Sequence, residues 1–343
     1  MTKFLQFFLI FLSLPSIGYN QHQIEKLFYF VDQESSFDSF KSNIDQITIV
    51  APQSYKMDAA GNISGSVDNR LLNLAKQNEV SVIPLIVNPG FDQKIIHAVL
   101  QDSLARRRAI ETMLAICQEH NFLGLQFDFE HIHIADKDAF TQFFQQAAKV
   151  LHAKGFIIST AVFPRTADYV DHPPYHRWYF ENWTGAFDYK ALAQASDFLT
   201  IMTYDQHSHK TPPGPVAGIP WLEKVLKYIL EQVPANKISL GIPLYSYYWF
   251  PTADDRGGHI GGRGMAFDKA MDLLRKHETP LLWNHKQMVF YTFFANHSIF
   301  EYLFIENVRS FRAKFAIVKK YNLRGFSAWR LGLEDPEIWN VFK

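Results

Sequence analysis

Apolar residues along this chain gather into short continuous runs separated by amphipathic stretches, a pattern that predicts strands and helices in alternation. The runs are Leu27–Val31, Gln46–Ala51, Val80–Val87, Leu123–Phe129, Phe156–Phe163, Phe198–Tyr204, Ile238–Tyr245 and Phe326–Trp329. Runs that are apolar at nearly every position suit strands covered on both faces, as in a parallel sheet wrapped by helices. Eight such strands predict an α/β fold of the (β/α)8 TIM barrel type. Between the fourth and fifth runs, Phe140, Phe144, Ala147 and Leu151 fall at helical spacing. Asp136 or Asp138 can cap that helix and Gly155 can end it, so its Phe stripe reads as barrel packing.

The interval between the seventh and eighth runs is much longer than the others. Within it Pro251–Gly264 reads as a loop, because it carries Asp254-Asp255 and then Gly257, Gly258, Gly261, Gly262 and Gly264. Trp283–Phe294 reads as extended and aromatic, and a last helix is expected around Ile305–Tyr321. The expectation is a small α+β insertion at about residues 250–304.

At the N-terminus Lys3 precedes an apolar run from Phe4 to Leu14, then Pro15 and the small residues of Ser16-Ile17-Gly18. This reads as a signal peptide over residues 1–18, with a catalytic barrel over 19–343 and a secreted or periplasmic destination. The run is short for a bilayer, so no stable membrane insertion is expected after cleavage. Hydrophobic residues make up 48% of the 343, enough to fill one large core. Lys+Arg and Asp+Glu are 34 each, and this balance argues against a nucleic-acid partner, which would call for a basic surface. Cys117 is the only cysteine, so no intramolecular disulfide can form.

The segment that carries chemistry is Leu123-Gly124-Leu125-Gln126-Phe127-Asp128-Phe129-Glu130. Side chains alternate along a strand, so Leu125, Phe127 and Phe129 point toward the covering helices while Gln126, Asp128 and Glu130 point into the barrel. An inward polar ladder is costly unless it is satisfied or used, and two neighbouring carboxylates tend to share a proton. Alternation alone leaves open a buried structural network or a catalytic pair. His131 with His133, and His207 with His209, read as polar residues at the barrel mouth, and no metal is expected.

The segment resembles the signature of glycoside hydrolase family 18, the chitinase-like family, Asp-Gly-x-Asp-x-Asp-x-Glu on the fourth barrel strand. Gly124, Asp128 and Glu130 match it, whereas Leu123 and Gln126 stand where the family has Asp. Met202-Thr203-Tyr204-Asp205, Gly241-Ile242-Pro243-Leu244-Tyr245 and Gly325-Phe326-Ser327-Ala328-Trp329 resemble the sixth-, seventh- and eighth-strand motifs, so the likeness runs from about Leu27 to Trp339. The resemblance implies cleavage of β-linked N-acetylglucosamine-containing glycans, in which the substrate's own acetamido group is the nucleophile. It makes Glu130 the acid, Asp128 the stabiliser of the cyclic intermediate and Tyr204 a partner of the acetamido oxygen. Asp205 and Tyr245 would bind sugar hydroxyls, Trp329 would stack on a sugar, and Gln126 and Met202 would also lie at the substrate. No cofactor is implied, and a monomer is expected. Other activities compatible with these residues are a carbohydrate-binding protein with weak or no turnover, an endo-acting enzyme on N-glycans, and a metal-dependent hydrolase using the histidine pairs. Because Gln126 cannot ionise, Glu130 is expected to lose its proton more easily than it would with Asp at that position.

Overall fold

The computed structural model describes residues 24–168, 173–254 and 257–342. The expected leader, residues 1–18, lies outside the described residues.

All eight expected runs form strands of one closed parallel barrel. The first strand, Glu25–Phe30, pairs with the second, Ile49–Met57, on one side and with the eighth, Gly325–Trp329, on the other. Between them lie Leu85–Val87, Gly124–Asp128, Ile157–Val162, Phe198–Ile201 and Ile238–Pro243, each paired parallel with its neighbours. The third strand is interrupted: Ser81–Val82 and Leu85–Val87 flank Ile83-Pro84. Pro84 has no N–H to give the ladder, but its carbonyl accepts from the Gln126 N–H at 3.0 Å.

Alternation on the fourth strand sorts its side chains as expected. Phe127 is fully buried on the outer face against Phe129, Phe143 and Phe144, with ring centroids 5.0–5.4 Å away. Phe143 and Phe144 belong to the helix Lys137–His152, whose Phe140, Ala147 and Leu151 are buried as well. Asp136 occupies the N-cap position of that helix but does not cap it. Its carboxylate instead accepts from His97 at 2.8 Å and from Gln101 at 3.2 Å. Gly155 follows the helix at φ 80°, a left-handed turn that glycine makes without steric cost.

The insertion between the seventh and eighth strands is a five-stranded antiparallel sheet with one helix, Phe267–His277. Its first two strands, Ser246–Asp254 and Gly257–Met265, form a long hairpin where a loop was expected. The cross-strand register explains the difference. Tyr247 faces Gly264, Trp249 faces Gly262 and Phe250 faces Gly261. Rings lying over the bare glycine backbone supply the side-chain packing that the glycines lack. Among the described residues no helix is long and apolar enough to cross a membrane.

Candidate active site

Low in the barrel, Gln126 is completely buried and fully engaged. Its side-chain carbonyl accepts from the Tyr29 hydroxyl at 2.7 Å, and its amide donates to Ser159 at 2.9 Å and Thr200 at 3.2 Å. Thr200 continues to Ser327 at 2.9 Å, and Ser327 to Ser239 at 2.6 Å. One polar residue from each of six strands thus joins a single buried network, which satisfies the cost of placing polar groups there. Gln126, expected at the substrate, is enclosed beneath it instead. Its longer side chain reaches hydroxyls on neighbouring strands and does not line the cavity above.

That cavity, about 300 Å³, gathers every other expected site residue: Asp128, Glu130, Met202, Tyr204, Asp205, Tyr245 and Trp329. Asp128 is the last residue of the fourth strand, and Glu130 lies two residues beyond it rather than on it. Asn88, just past the third strand, clasps the Glu130 backbone on both sides. The Gln53 amide, from the second strand, donates to Asp128 at 3.4 Å.

Burial dominates the electrostatics. It pushes the Asp128 carboxyl up to about 6, against the opposing hydrogen bond from Gln53. Burial, then the negative charges of Asp128 and Asp205, hold Glu130 well above the usual carboxylate range. Glu130 therefore keeps its proton more readily than Asp128 does, which separates a proton donor from a carboxylate within one pocket. Asp205 is also raised by burial, while the Tyr245 hydroxyl that donates to it and nearby His209 act the other way. Tyr204 is held neutral by burial and by the surrounding Tyr29, Asp128, Glu130 and Asp205.

Trp329 ends the eighth strand with its ring 5.2 Å from that of Tyr29. A second recess of about 400 Å³ shares Asp205, Tyr245 and Trp329 and is walled by Tyr247 and Met265 of the insertion. The insertion thus lengthens the cleft. The histidines have separate engagements. His131 places Nδ1 3.1 Å from the Phe91 carbonyl, and His133 accepts from the Ala135 N–H at 3.2 Å. His207 Nδ1 lies 3.0 Å from the Pro212 carbonyl and His209 Nδ1 3.4 Å from the Tyr247 hydroxyl.

Comparisons with known proteins bear on the fold and the family. The cortical fragment-lytic enzyme of Bacillus subtilis (strain 168) is 28% identical over 297 residues, which cover 85% of this chain and 66% of that protein. The chain thus spans just under two thirds of that relative's length. The spore cortex-lytic enzyme SleL of Bacillus megaterium QM B1551 superimposes with a TM-score of 0.82 at 25% identity, covering 95% of this chain and 74% of that one. A chitinase from Chromobacterium violaceum ATCC 12472 gives a TM-score of 0.82 at 27% identity, covering 93% and 98%. The family model for glycosyl hydrolases family 18 matches residues 25–334, and the chain belongs to that family.

Proposed function

We propose that this protein is a retaining glycosidase that cleaves β-linked N-acetylglucosamine-containing glycans, with the substrate's acetamido group as nucleophile. The observation that carries this reading is the division of labour between two buried carboxyls on one face: burial raises both, and the charges of Asp128 and Asp205 raise Glu130 further, so Glu130 keeps its proton more readily than Asp128 does. Glu130 gives its proton to the glycosidic oxygen as the bond to the anomeric carbon breaks. The acetamido oxygen closes onto that carbon from the opposite face, forming a cyclic oxazolinium ion. Asp128, as carboxylate, accepts the acetamido N–H and offsets the positive charge, while the Tyr204 hydroxyl donates to the acetamido oxygen. Water then opens the ring, and ionised Glu130 takes its proton. Trp329 supplies a flat apolar floor for the sugar, and Asp205 with Tyr245 presents hydrogen-bonding groups to its hydroxyls.

Cortex-lytic and chitinase names among the relatives favour a polysaccharide substrate. The leader-like residues 1–18 favour a secreted or periplasmic destination. Sequencing the N-terminus of protein recovered outside the cytoplasm tests that placement, and retention of Met1 there would reject cleavage.

Replacing Glu130 by Gln is expected to lower kcat by roughly 10²–10⁴-fold without loss of folding. A well-folded E130Q protein with unchanged kcat overturns the assignment. Product masses from chitin, peptidoglycan and N-glycan substrates identify the polymer. Equal turnover of acetylated and fully deacetylated oligomers would remove the acetamido group from the mechanism.

A further inference from the structure

In the proposed reaction Asp128 acts as a carboxylate, yet no cation lines its cavity. That cavity holds two more carboxyls, Glu130 and Asp205, and the phenols of Tyr29, Tyr204 and Tyr245, with no lysine, arginine or histidine among the described residues. Asp128 is 4% exposed, so water gives its charge little support. Gln126, two residues back on the same inward face, has no donor to spare. Both of its amide hydrogens are committed, one to Ser159 and one to Thr200. Among the described residues, the one side-chain hydrogen bond to the Asp128 carboxylate comes from Gln53, whose amide donates to Oδ2 at 3.4 Å. The contact is long, as such contacts often are before substrate packs against them.

The second strand is shaped to deliver that amide. Ile49 and Ala51 point into the barrel with Leu27, Tyr29 and Leu85, while Val50 points out, so alternation turns Gln53 inward as well. Gln53 is in register with Leu85 and, through it, with Gln126. It therefore starts one layer below Asp128 and must cross the third strand to reach it, which takes a long side chain. Unbroken alternation would next send Tyr55 inward. A bulge between Gln53 and Tyr55 reverses the order, and Tyr55 packs in the outer core. Gln53 is thus the last side chain of the second strand to line the cavity, which the Tyr55 ring does not fill. Bulges that re-aim a side chain gather next to active sites.

We propose that Gln53 is a positioning residue for the reaction: its amide holds Oδ2 of Asp128 and so leaves Oδ1 to accept the acetamido N–H of the substrate. The inference rests on the glycosidase reading and adds to it a residue from outside the fourth-strand motif. Because the amide N–H stabilises the charged form, Gln53 also opposes the burial that pushes the Asp128 carboxyl up to about 6. Removing it should push that carboxyl higher and take activity away from the acidic side.

The test replaces Gln53 by Met, which keeps the length and loses the N–H. Turnover of N-acetylglucosamine oligomers is followed against pH, and the Asp128 carboxyl carbon is titrated by NMR, its signal assigned by its loss in D128N. Q53M is expected to move both the acidic limb of kcat and the NMR midpoint upward by roughly half to one pH unit. On that limb kcat falls by about three- to tenfold, and the loss shrinks as pH rises. Q53E, which adds a like charge, should move the limb further. Q53N, one methylene short of Asp128, should behave as Q53M does and carries the test if the Met variant folds poorly. A loss of equal size at every pH, or an unmoved NMR midpoint, overturns the proposal and makes Gln53 a space-filling residue. No turnover of any oligomer by the wild type overturns the glycosidase reading instead, while the NMR shift, which needs no substrate, still decides whether Gln53 holds Asp128.

Discussion

The side-chain carbonyl of Asn88 accepts the Glu130 N–H at 3.0 Å, and the Asn88 amide donates to the Glu130 carbonyl at 3.0 Å. Glu130 lies past the last ladder position of its strand, so a residue from the neighbouring strand end performs the work of strand pairing. Asn88 itself is fully buried, so the clasp is shielded from competing water. It fixes where the acid's side chain begins without touching the carboxyl that does the chemistry.

Replacing Asn88 by Ala is therefore expected to act on kcat rather than KM. Small displacements of a catalytic group cost orders of magnitude, and a fall in kcat of roughly 10–100-fold is expected. Losing both bonds also leaves buried backbone groups unpaired, costing on the order of 1–3 kcal/mol. Steady-state kinetics with a denaturation midpoint checks both, and an unchanged kcat in N88A would reduce Asn88 to a packing residue.

Asp128 links stability to pH. Its folded pKa of about 6 lies above that of an unfolded Asp, so the protonated form favours the native state. That contribution is complete below the unfolded value and is lost as pH rises through about 6. D128N, which cannot ionise, should gain on the order of 2 kcal/mol over the wild type at pH 8 and nothing at pH 4. Denaturant titrations at the two pH values measure the difference, and an equal shift at both would disconnect it from ionisation. Activity runs the other way. Asp128 must be ionised and Glu130 protonated, so kcat should rise with pH through about 6 and fall again at higher pH as Glu130 ionises.

Gln126 ties three strands together, so Q126L should cost about 1–3 kcal/mol by removing one hydrogen-bond partner each from Tyr29, Ser159 and Thr200. Q126D places a charge beneath Asp128, the carboxylate two residues along the same inward face. The acidic limb of the pH–rate profile should move up by roughly half to one pH unit, and the basic limb, set by the more distant Glu130, by less. Superimposed profiles would show that the hydroxyl network screens the added charge.

Gly124 opens the fourth strand, and a Cβ built there would meet the Ile157 carbonyl oxygen at 1.8 Å. G124A must push two paired strands apart, with an expected cost of about 1–3 kcal/mol and a matching drop in melting temperature. Wild-type stability in G124A would show that the barrel yields at this point.

The strand pattern was legible in the sequence because each barrel strand is covered on both faces and reads as an apolar run. Asp128 and Glu130 were legible because they interrupt such a run with the right alternation. Gln53 was missed because the second strand runs on to Met57, with a bulge between Gln53 and Tyr55, beyond the apolar stretch that announced it. Ser159, Thr200, Ser239 and Ser327 each stand as a lone small polar residue inside an apolar run, a visible signal. Their partners, however, lie 33 to 127 positions away, and only barrel closure brings them together. The glycine-rich hairpin was misread because local propensity carries no record of the facing rings of Tyr247, Trp249 and Phe250.

The seam between the first and eighth strands sets a condition on synthesis. Glu25 pairs in register with Gly325, and its carboxylate holds the Arg324 guanidinium at 2.8 Å, across 299 positions of sequence. A growing chain cannot make this seam until Gly325 has left the ribosome, and pairing across so long a loop is slow. Until then the first strand keeps an unpaired edge open to other chains. Truncated products that stop before Gly325 should therefore aggregate rather than persist as smaller soluble barrels.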